Sequence, residues 1–392
     1  MTDRSKFIVL ITTLAIVLIA SVCGRQETLV TAAAEGVSNA SSNAVGPSQF
    51  YAQHNIISDE SGVADHQDAN LVNAWGLDAG PTTPWWIADN GTGKATLFNI
   101  STAATSFFTV PGAGGAQGNP TGLVFNGGTG FVVNNGGTGS PSPARFMFAS
   151  EDGTISAFRG NPIITVVPNA NAPAHGAIYK GLAIDSRTAG TLLYATDFHN
   201  GKVDVFNTSF HLVTLSGNFT DPALPPGFAP FGIQNINGTL YVTYALQDED
   251  AEDDVAGPGN GFVDAYDLSG NLIRRVASAG ELNSPWGLAL APQNFGRFSG
   301  DLLVGNFGNG RIHAFDPTTL TSSGEFEAVG LLHSAAGKPI KIDGLWALQF
   351  GHGTTASSAN GLSTMLFFTA GPDDESHGLF GSIVLTAPPG RQ

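Results

Sequence analysis

The stretch WWIADNGTGKATLFN, Trp85 to Asn99, decides the fold. An apolar run ends at Asp89, a Gly-containing turn follows, and the chain resumes with alternating apolar and polar residues. LLYATDFHNGKVDVFN (Leu192 to Asn207) and LLVGNFGNGRIHAFD (Leu302 to Asp316) repeat this pattern. A short polar residue can bond its own turn, and Gly permits the positive φ that such a turn needs. The repetition therefore indicates a repeated β-hairpin architecture.

A second motif, built on Gly-Leu or Gly-Ile, precedes each hairpin. Its glycines recur at intervals of about 46 to 59 residues, which is a period typical of propellers and solenoids. The six copies are NAWGLDA (73–79), NPTGLVF (119–125), IYKGLAI (178–184), FAPFGIQ (228–234), NSPWGLAL (283–290) and KIDGLWALQF (341–350). Each glycine, from Gly76 to Gly344, is expected to let the backbone pass close to a crowded central axis.

The fifth unit shows what one repeat contains. WGLALAP, GDLLVGNFG, GRIHAFDP and GEFEAVGLL are four short strands separated by tight turns, as in one propeller blade. The sequence therefore predicts an all-β, six-bladed propeller of four-stranded blades over residues 49–387. We expect FYAQHNIISD (Phe50 to Asp59) and GLFGSIVLTA (Gly378 to Ala387) to share one blade, which would close the ring without an exposed sheet edge.

Composition restricts the classes of partner. The 392 residues are 42% hydrophobic and only 12% charged, with a formal net charge of −16. The sequence offers no basic stripe for phosphates, so nucleic acid is not an expected partner. Cys23 is the single cysteine, which excludes an intrachain disulfide and a cysteine-based metal site.

The N-terminus has the pattern of a targeting segment. Arg4 and Lys6 precede the apolar run FIVLITTLAIVLIASVCG, and small residues near Ala34 suit a cleavage site. Residues 1–34 are therefore expected to be a signal peptide for export to the periplasm or exterior. The alternatives are an uncleaved membrane anchor through residues 7–24 and a lipidated Cys23. Residues 35–48 are expected to be a flexible polar linker, and residues 388–392 a short tail.

Several stretches resemble a known protein family. HQDANLVNAWGL, WWIADNGTGKATLFN, TYALQDEDAEDDVAGPGNGFVDAYD, SPWGLALAP, GLWALQFGHG and FFTAGPDDESHGLFGSI together cover much of residues 50–387. With them the chain resembles an uncharacterised bacterial family of exported proteins with NHL-like six-bladed propellers. The resemblance implies the fold and export but no activity.

An acidic loop offers the strongest local signal for metal binding. QDEDAEDDVAGPGNGFVD, Gln247 to Asp264, places six acids within seven residues. Calcium prefers several oxygen ligands from such loops, so Asp248, Asp250, Asp253 and Asp254 are candidate calcium ligands. The spacing is not that of an EF-hand. The alternative is a solvated surface loop without metal.

Other candidate residues follow the second strands or lie near the axis. If the protein instead binds a divalent metal at the mouth of the axial channel, the oxygen ligands could come from residues at the ends of the second strands. These residues could equally cap their own turns. They are Asp89, Asn134, Asp197 and Asn306. A further polar cluster comprises Asp373, Asp374, Glu375 and His377. Trp75, Trp286 and Trp346 either pack between blades or line a ligand-binding mouth.

No complete catalytic signature is present. The sequence has no His-Glu-x-x-His zinc motif and no Gly-x-Ser-x-Gly nucleophile motif, and GAGGAQG (112–118) is no dinucleotide fingerprint. We therefore expect a non-catalytic binding module, acting as a monomer on a small molecule, glycan or protein. The membrane is expected as a partner only through an N-terminal anchor or lipid. The alternative is a divalent-metal-dependent lactonase or lyase with its site at the axial channel mouth.

Overall fold

The computed structural model describes residues 50–134, 140–169, 176–185 and 191–386. The predicted signal peptide or anchor, linker and C-terminal tail lie outside these residues. In chain order the strands are β1 (Phe50–Ser58), β2 (His66–Gln67), β3 (Ala74–Asp78), β4 (Trp85–Asp89), β5 (Lys94–Asn99), β6 (Ala104–Thr109), β7 (Pro120–Phe125), β8 (Val132–Val133), β9 (Ser142–Pro143), β10 (Phe146–Ser150), β11 (Ile155–Phe158), β12 (Ile164–Val167), β13 (Tyr179–Asp185), β14 (Leu192–Asp197), β15 (Lys202–Phe206), β16 (Phe228–Ile236), β17 (Thr239–Leu246), β18 (Phe262–Tyr266), β19 (Leu272–Ser278), β20 (Pro285–Leu290), β21 (Leu302–Asn306), β22 (Ile312–Leu320), β23 (Phe326–Leu331), β24 (His333–Ser334), β25 (Leu345–Phe350), β26 (Leu366–Ala370) and β27 (Leu379–Thr386). Among the described residues, helical structure is confined to 3-10 turns at Asn90–Thr92, Ala113–Gly115 and Gly296–Phe298.

The strands form six antiparallel blades around one axis, which confirms the predicted propeller. From the axis outward the blades are β3-β4-β5-β6, β7-β10-β11-β12, β13-β14-β15, β16-β17-β18-β19, β20-β21-β22-β23 and β25-β26-β27-β1. Each innermost strand contacts the innermost strand of the next blade, and β25 contacts β3 to complete the circle. The third blade differs from the prediction because its sheet has three strands rather than four.

The two ends of the described chain share the sixth blade, as the sequence predicted. β1 pairs antiparallel with β27 from Phe50↔Thr386 to Ser58↔Leu379, with one bulge between Asn55 and Ile57. Tyr51 is buried in this strand, and its hydroxyl donates to the Phe295 carbonyl at 2.8 Å. The blade is thus held by both main-chain pairing and a side-chain bond to the neighbouring fifth blade.

Close approach of neighbouring blades explains most of the repeated glycines. A Cβ on Gly287 would lie 2.4 Å from the Trp346 carbonyl oxygen, and a Cβ on Gly232 would lie 2.2 Å from that of Trp286. The sixth equivalent position, however, is Ala347 rather than Gly344. Ala347 N–H donates to a second-strand threonine hydroxyl, that of Thr369, as the repeated glycines do in the third and fourth blades. Gly344 instead adopts a φ of +60° in the turn before the strand.

The apolar core lies mainly between adjacent blades. Trp86 stacks on Phe146 of the second blade with ring centroids 4.3 Å apart, and such sheet-to-sheet contacts recur around the ring. Burying large aromatic side chains supplies much of the stability of such packing. In the described ranges, no helix is long and apolar enough to cross a membrane.

Candidate functional site

One face of the disc collects the loops with the most polar chemistry. In an antiparallel blade, the connection between the second and third strands lies at the end where the innermost strand begins. The loop from Gln247 to Gly261 and the loop from Gly371 to Gly378 are both such connections, and so is the turn at Glu151. All three therefore lie on one face of the propeller, around the axis.

An aromatic cluster fills the axis beneath this face. Trp75 and Trp346 stack with ring centroids 3.8 Å apart, and Phe307 also stacks on Trp346, at 4.0 Å. Trp75 and Trp346 are almost wholly buried. Trp286 is half-buried and donates its indole N–H to the Lys180 carbonyl at 3.1 Å. The three tryptophans thus pack between blades, which was one of the two predicted alternatives.

Aliphatic side chains close the axial channel deeper in the disc. The innermost strands contribute Leu77, Leu123, Leu182, Ile233, Leu288 and Leu348. They leave a cavity of only about 20 Å³, which is room for about one water molecule. A ligand of more than a few atoms therefore does not fit within this cavity.

Lys180 lies at the centre of the polar face although its side chain is only 1% exposed. Its Nζ lies 2.6 Å from Glu151 Oε1 and 2.9 Å from Asp253 Oδ1, and it sits 5.2 Å from the centroid of the Trp75 ring. Burial alone would lower the pKa of Lys180, but Glu151 and then Asp253 more than offset this and raise it. The ammonium is therefore held in its charged form and cannot act as a free amine nucleophile.

Glu375 belongs to the same centre. Its Oε2 accepts a hydrogen bond of 2.5 Å from Asn73 Nδ2, while Asn73 Oδ1 accepts from the Trp346 indole at 2.9 Å. Burial raises the pKa of Glu375 to about 7, against the lowering effects of Asn73 and Lys180. This carboxyl group therefore changes its protonation state near neutral pH.

A chain of hydrogen bonds joins these groups. Asn90 Nδ2 donates to Glu151 Oε2 at 2.8 Å, and its Oδ1 lies 3.4 Å from Asn73 Nδ2. We call this group the axial polar network; its members are Asn73, Asn90, Glu151, Lys180, Asp253 and Glu375. They come from the first, second, third, fourth and sixth blades. Asn73 and Glu375 both have positive φ, a conformation that is uncommon for non-glycine residues but that Asn adopts more readily than most.

The four aspartates predicted to bind calcium have separate environments. Asp253 pairs with Lys180, and its side chain is 75% exposed. Asp248 Oδ1 accepts from the Glu252 N–H within the loop, and Asp250 is exposed. Burial raises the pKa of Asp254 to about 6, and its Oδ2 is buried without a described hydrogen-bond partner. The carboxylates therefore do not share one environment: Asp254 is largely buried, whereas Asp250 and Asp253 are exposed.

The channel-mouth candidates bond within their own blades. Asp89 Oδ2 accepts from the Thr96 hydroxyl at 2.7 Å, and Asp197 Oδ2 accepts from Asn200 Nδ2 at 2.8 Å. Asn306 donates to the Glu281 carbonyl at 2.8 Å. Asn134 is exposed beyond β8. Asp197 therefore caps its own turn, which the sequence allowed as an alternative, whereas Asp89 bonds to strand β5 and Asn306 to the loop before β20.

The residues present do not form an open metal site at the axis. In the part of the chain that the structure describes, no group of three or more His, Cys, Asp or Glu is arranged to hold a metal ion. At the axial mouth the available carboxylates already surround the ammonium of Lys180. A divalent ion there would have to compete with a buried, ion-paired lysine, so the geometry does not fit a resident metal at this point.

Sequence reasoning missed most of the axial polar network. A signal was available, because Lys180 holds the position occupied by Trp75, Thr121, Phe231 and Trp286 in other repeats. A lysine in such a series is conspicuous, yet only the fold shows that Glu151 and Asp253 reach it. From the C-terminal cluster, Glu375 joins the network, whereas His377 pairs with Asp59 at 2.8 Å.

Comparison with known proteins gives relatives without an assigned activity. No family model matches the sequence, so the resemblance to the exported bacterial family stays a prediction. A solved structure, virginiamycin B lyase from Staphylococcus aureus, is 14% identical with a TM-score of 0.45, covering 86% of this chain and 100% of the other. That level of similarity says nothing about activity.

Two relatives from Acanthamoeba polyphaga mimivirus are more similar. Uncharacterized protein R648 is 32% identical over 337 residues, which cover 84% of this chain and 78% of the relative. Uncharacterized protein L690 is 31% identical over 344 residues, which cover 84% of each chain. With this identity over most of both lengths, the chain belongs to the family that includes the mimivirus proteins R648 and L690.

Proposed function

We propose that this protein is a non-catalytic binding module of the cell envelope or exterior, whose ligand docks on the face that carries the axial polar network. One observation carries the proposal: the central ammonium of Lys180 is buried and held by Glu151 and Asp253. A fully paired charge is suited to fixing the shape of a surface, not to proton transfer or nucleophilic attack. The export pattern of the N-terminal sequence supports the location.

The charge of the face favours a ligand with cationic groups. The axial polar network contains three carboxyl groups, those of Glu151, Asp253 and Glu375, against the one ammonium of Lys180. Two further acids, Asp373 and Asp374, are exposed beside them. The whole chain has a formal charge of −16, which steers cations toward it over distances of about 10 Å at 0.1 M salt. A small amine, an amino sugar or a basic protein segment has the required chemistry.

Binding of an oligolysine peptide tests this proposal, with neutral and sulfated oligosaccharides as comparison probes. We expect saturable, salt-dependent binding of the peptide that weakens about tenfold in Asp253→Asn and Glu375→Gln. Glu327→Gln is the matched control, because Glu327 is an exposed acid on β23, outside the network. Equal binding by all variants, or preference for the sulfated sugar, would contradict the proposed face.

The alternative of a metal-dependent lactonase or lyase has one observation in its favour. Glu375, with its pKa raised by burial to about 7, has the proton affinity that suits a general acid or base at neutral pH. A screen of lactones and esters with added calcium, magnesium, manganese or zinc tests it. Metal-dependent turnover that is abolished by Glu375→Gln would establish the enzyme and remove the non-catalytic proposal.

A further inference from the structure

The outer edge of the third blade is incomplete. In the blade that follows it, β19 pairs along the whole of β18. In the third blade, the corresponding segment pairs with β15 only at its start, through Asn207 N–H to His211 O and Val213 N–H to Val205 O. The segment then leaves β15 and bonds to the fourth blade instead, through Gly217 N–H to Ser269 O.

The remainder of β15 therefore keeps an open edge. β14 and β15 pair without a bulge. The backbone N–H and carbonyl groups of successive β15 residues therefore point alternately inward, toward β14, and outward, toward the open edge. Since the Val205 carbonyl points outward, the N–H and carbonyl of Val203 also point outward. No hydrogen bond from a described residue reaches them. A cleft of about 340 Å³ lies along this edge, between residues 202–205 and residues 212–219.

The fourth blade shows what complements such an edge. Asp204 in β15 corresponds to Asp264 in β18, because KVDVF and FVDAY match residue by residue and each aspartate accepts from a tyrosine hydroxyl. Asp264 Oδ1 also accepts from Nε of Arg275 on the outer strand β19 at 2.5 Å. Asp204, which lines the cleft, has Lys202 of its own strand, at 2.7 Å, as its only cation among the residues that the structure describes.

We propose that the third blade binds an extended peptide segment of a partner protein, which adds a strand to β15 and places an arginine against Asp204. The main chain of the peptide would bond to Val203, as Ala277 pairs with Val263 in the fourth blade. An arginine suits this position because its planar guanidinium binds a carboxylate through two hydrogen bonds. This proposal does not depend on the axial face.

The probe is the acetylated and amidated pentapeptide RRVAS, which copies Arg274 to Ser278 of the fourth blade. We expect saturable binding to the folded protein, measured by calorimetry or fluorescence anisotropy. Binding should weaken about tenfold when the second arginine is alanine, and by a similar factor when the alanine amide is N-methylated. These two peptides test the charge pairing and the main-chain pairing on the unaltered protein.

Two protein variants supply matched tests. Val203→Pro removes an outward N–H at a sheet edge, where proline is tolerated, together with a half-buried valine side chain, and should weaken RRVAS binding. Asp204→Asn should weaken RRVAS but not the peptide that lacks the second arginine. Absent binding, or equal binding of the native and N-methylated peptides, overturns the proposal. A concentration-dependent dimer of the native protein that Val203→Pro abolishes would also overturn it, because the edge would then pair with a second copy.

Discussion

Lys180 Nζ lies 2.6 Å from Glu151 Oε1, and this contact joins the third blade to the neighbouring second blade. The same ammonium contacts Asp253 from the fourth blade at 2.9 Å. A single lysine therefore holds three blades at the face where the polar loops meet. Because a buried charge is costly unless it is paired, the lysine and its carboxylates depend on one another.

Replacing Lys180 with methionine tests this dependence. The change keeps much of the side-chain volume but leaves the Glu151 carboxylate, which is 28% exposed, without its cation, so we expect a cost of about 1–3 kcal/mol. Urea unfolding should show a corresponding loss in the free energy of unfolding. Lys338→Met is the control, because Lys338 is exposed and its replacement should cost about 0.5 kcal/mol or less. Similar losses for both variants would contradict the central role of Lys180.

The protonation of Glu375 predicts how stability depends on pH. Its pKa is raised from 4.5 to about 7, so the folded state binds the proton more tightly than the unfolded state does. The stabilisation from this group is present below about pH 4.5 and is lost as the pH rises through about 7. In Glu375→Gln the unfolding midpoint should fall less between pH 5 and pH 8 than in the native protein, in urea titrations at both pH values. Parallel profiles would show that Glu375 ionises normally.

Trp346 is expected to be a major determinant of stability. Its ring contacts Trp75 and Phe307 by stacking and Phe231 edge-on. Trp346→Ala should lower the free energy of unfolding by about 3–5 kcal/mol, since a large buried ring is replaced by a cavity. Leu320→Ala, at an exposed position on β22, should change it by about 0.5 kcal/mol or less. A loss below about 1 kcal/mol at Trp346 would mean that the axis collapses around the smaller side chain.

Strand β1 is predicted to be essential for a closed ring. A chain that begins at Gly46 retains it, whereas one that begins at Glu60 lacks the outer strand of the sixth blade and the buried Tyr51. Removing it exposes the edge of β27 to other molecules, and exposed edges promote aggregation. We expect the shorter chain to aggregate or to unfold without cooperativity. A soluble shorter chain with the same melting temperature would disprove the role of β1.

Calcium binding by the acidic loop can be tested by melting curves with calcium and with chelator. Asp253 is paired with Lys180, so we expect the melting temperature to be independent of calcium. A functional site would instead stabilise the protein by about 2.7 kcal/mol at a hundredfold excess over the dissociation constant. A calcium-dependent rise that disappears in the variant with both Asp250→Asn and Asp254→Asn would establish the site predicted from the sequence.

Repetition made the fold predictable. Each recurring pattern indicates a local requirement, such as a tight turn or a close approach of backbones. The patterns are the hairpin at Trp85–Asn99, its two relatives and the recurrent Gly-Leu motif. Local requirements repeated six times specify a blade and the number of blades. The pairing of β1 with β27 could also be foreseen, because a ring with two free ends leaves sheet edges that must be satisfied.

The sequence thus determined the propeller, its six blades and the shared sixth blade, because these follow from short-range patterns that recur. Only the tertiary structure decided which polar residues meet. Glu151, Lys180 and Asp253 are far apart in the chain and belong to three blades, and no local pattern fixes their distances. The same holds for the sixth close approach, where Ala347 replaces the expected glycine, and for the third blade, where a segment that begins as an outer strand is drawn away to the fourth blade. Contacts between blades depend on the summed packing of the whole ring, and that is settled only when the chain has closed on itself.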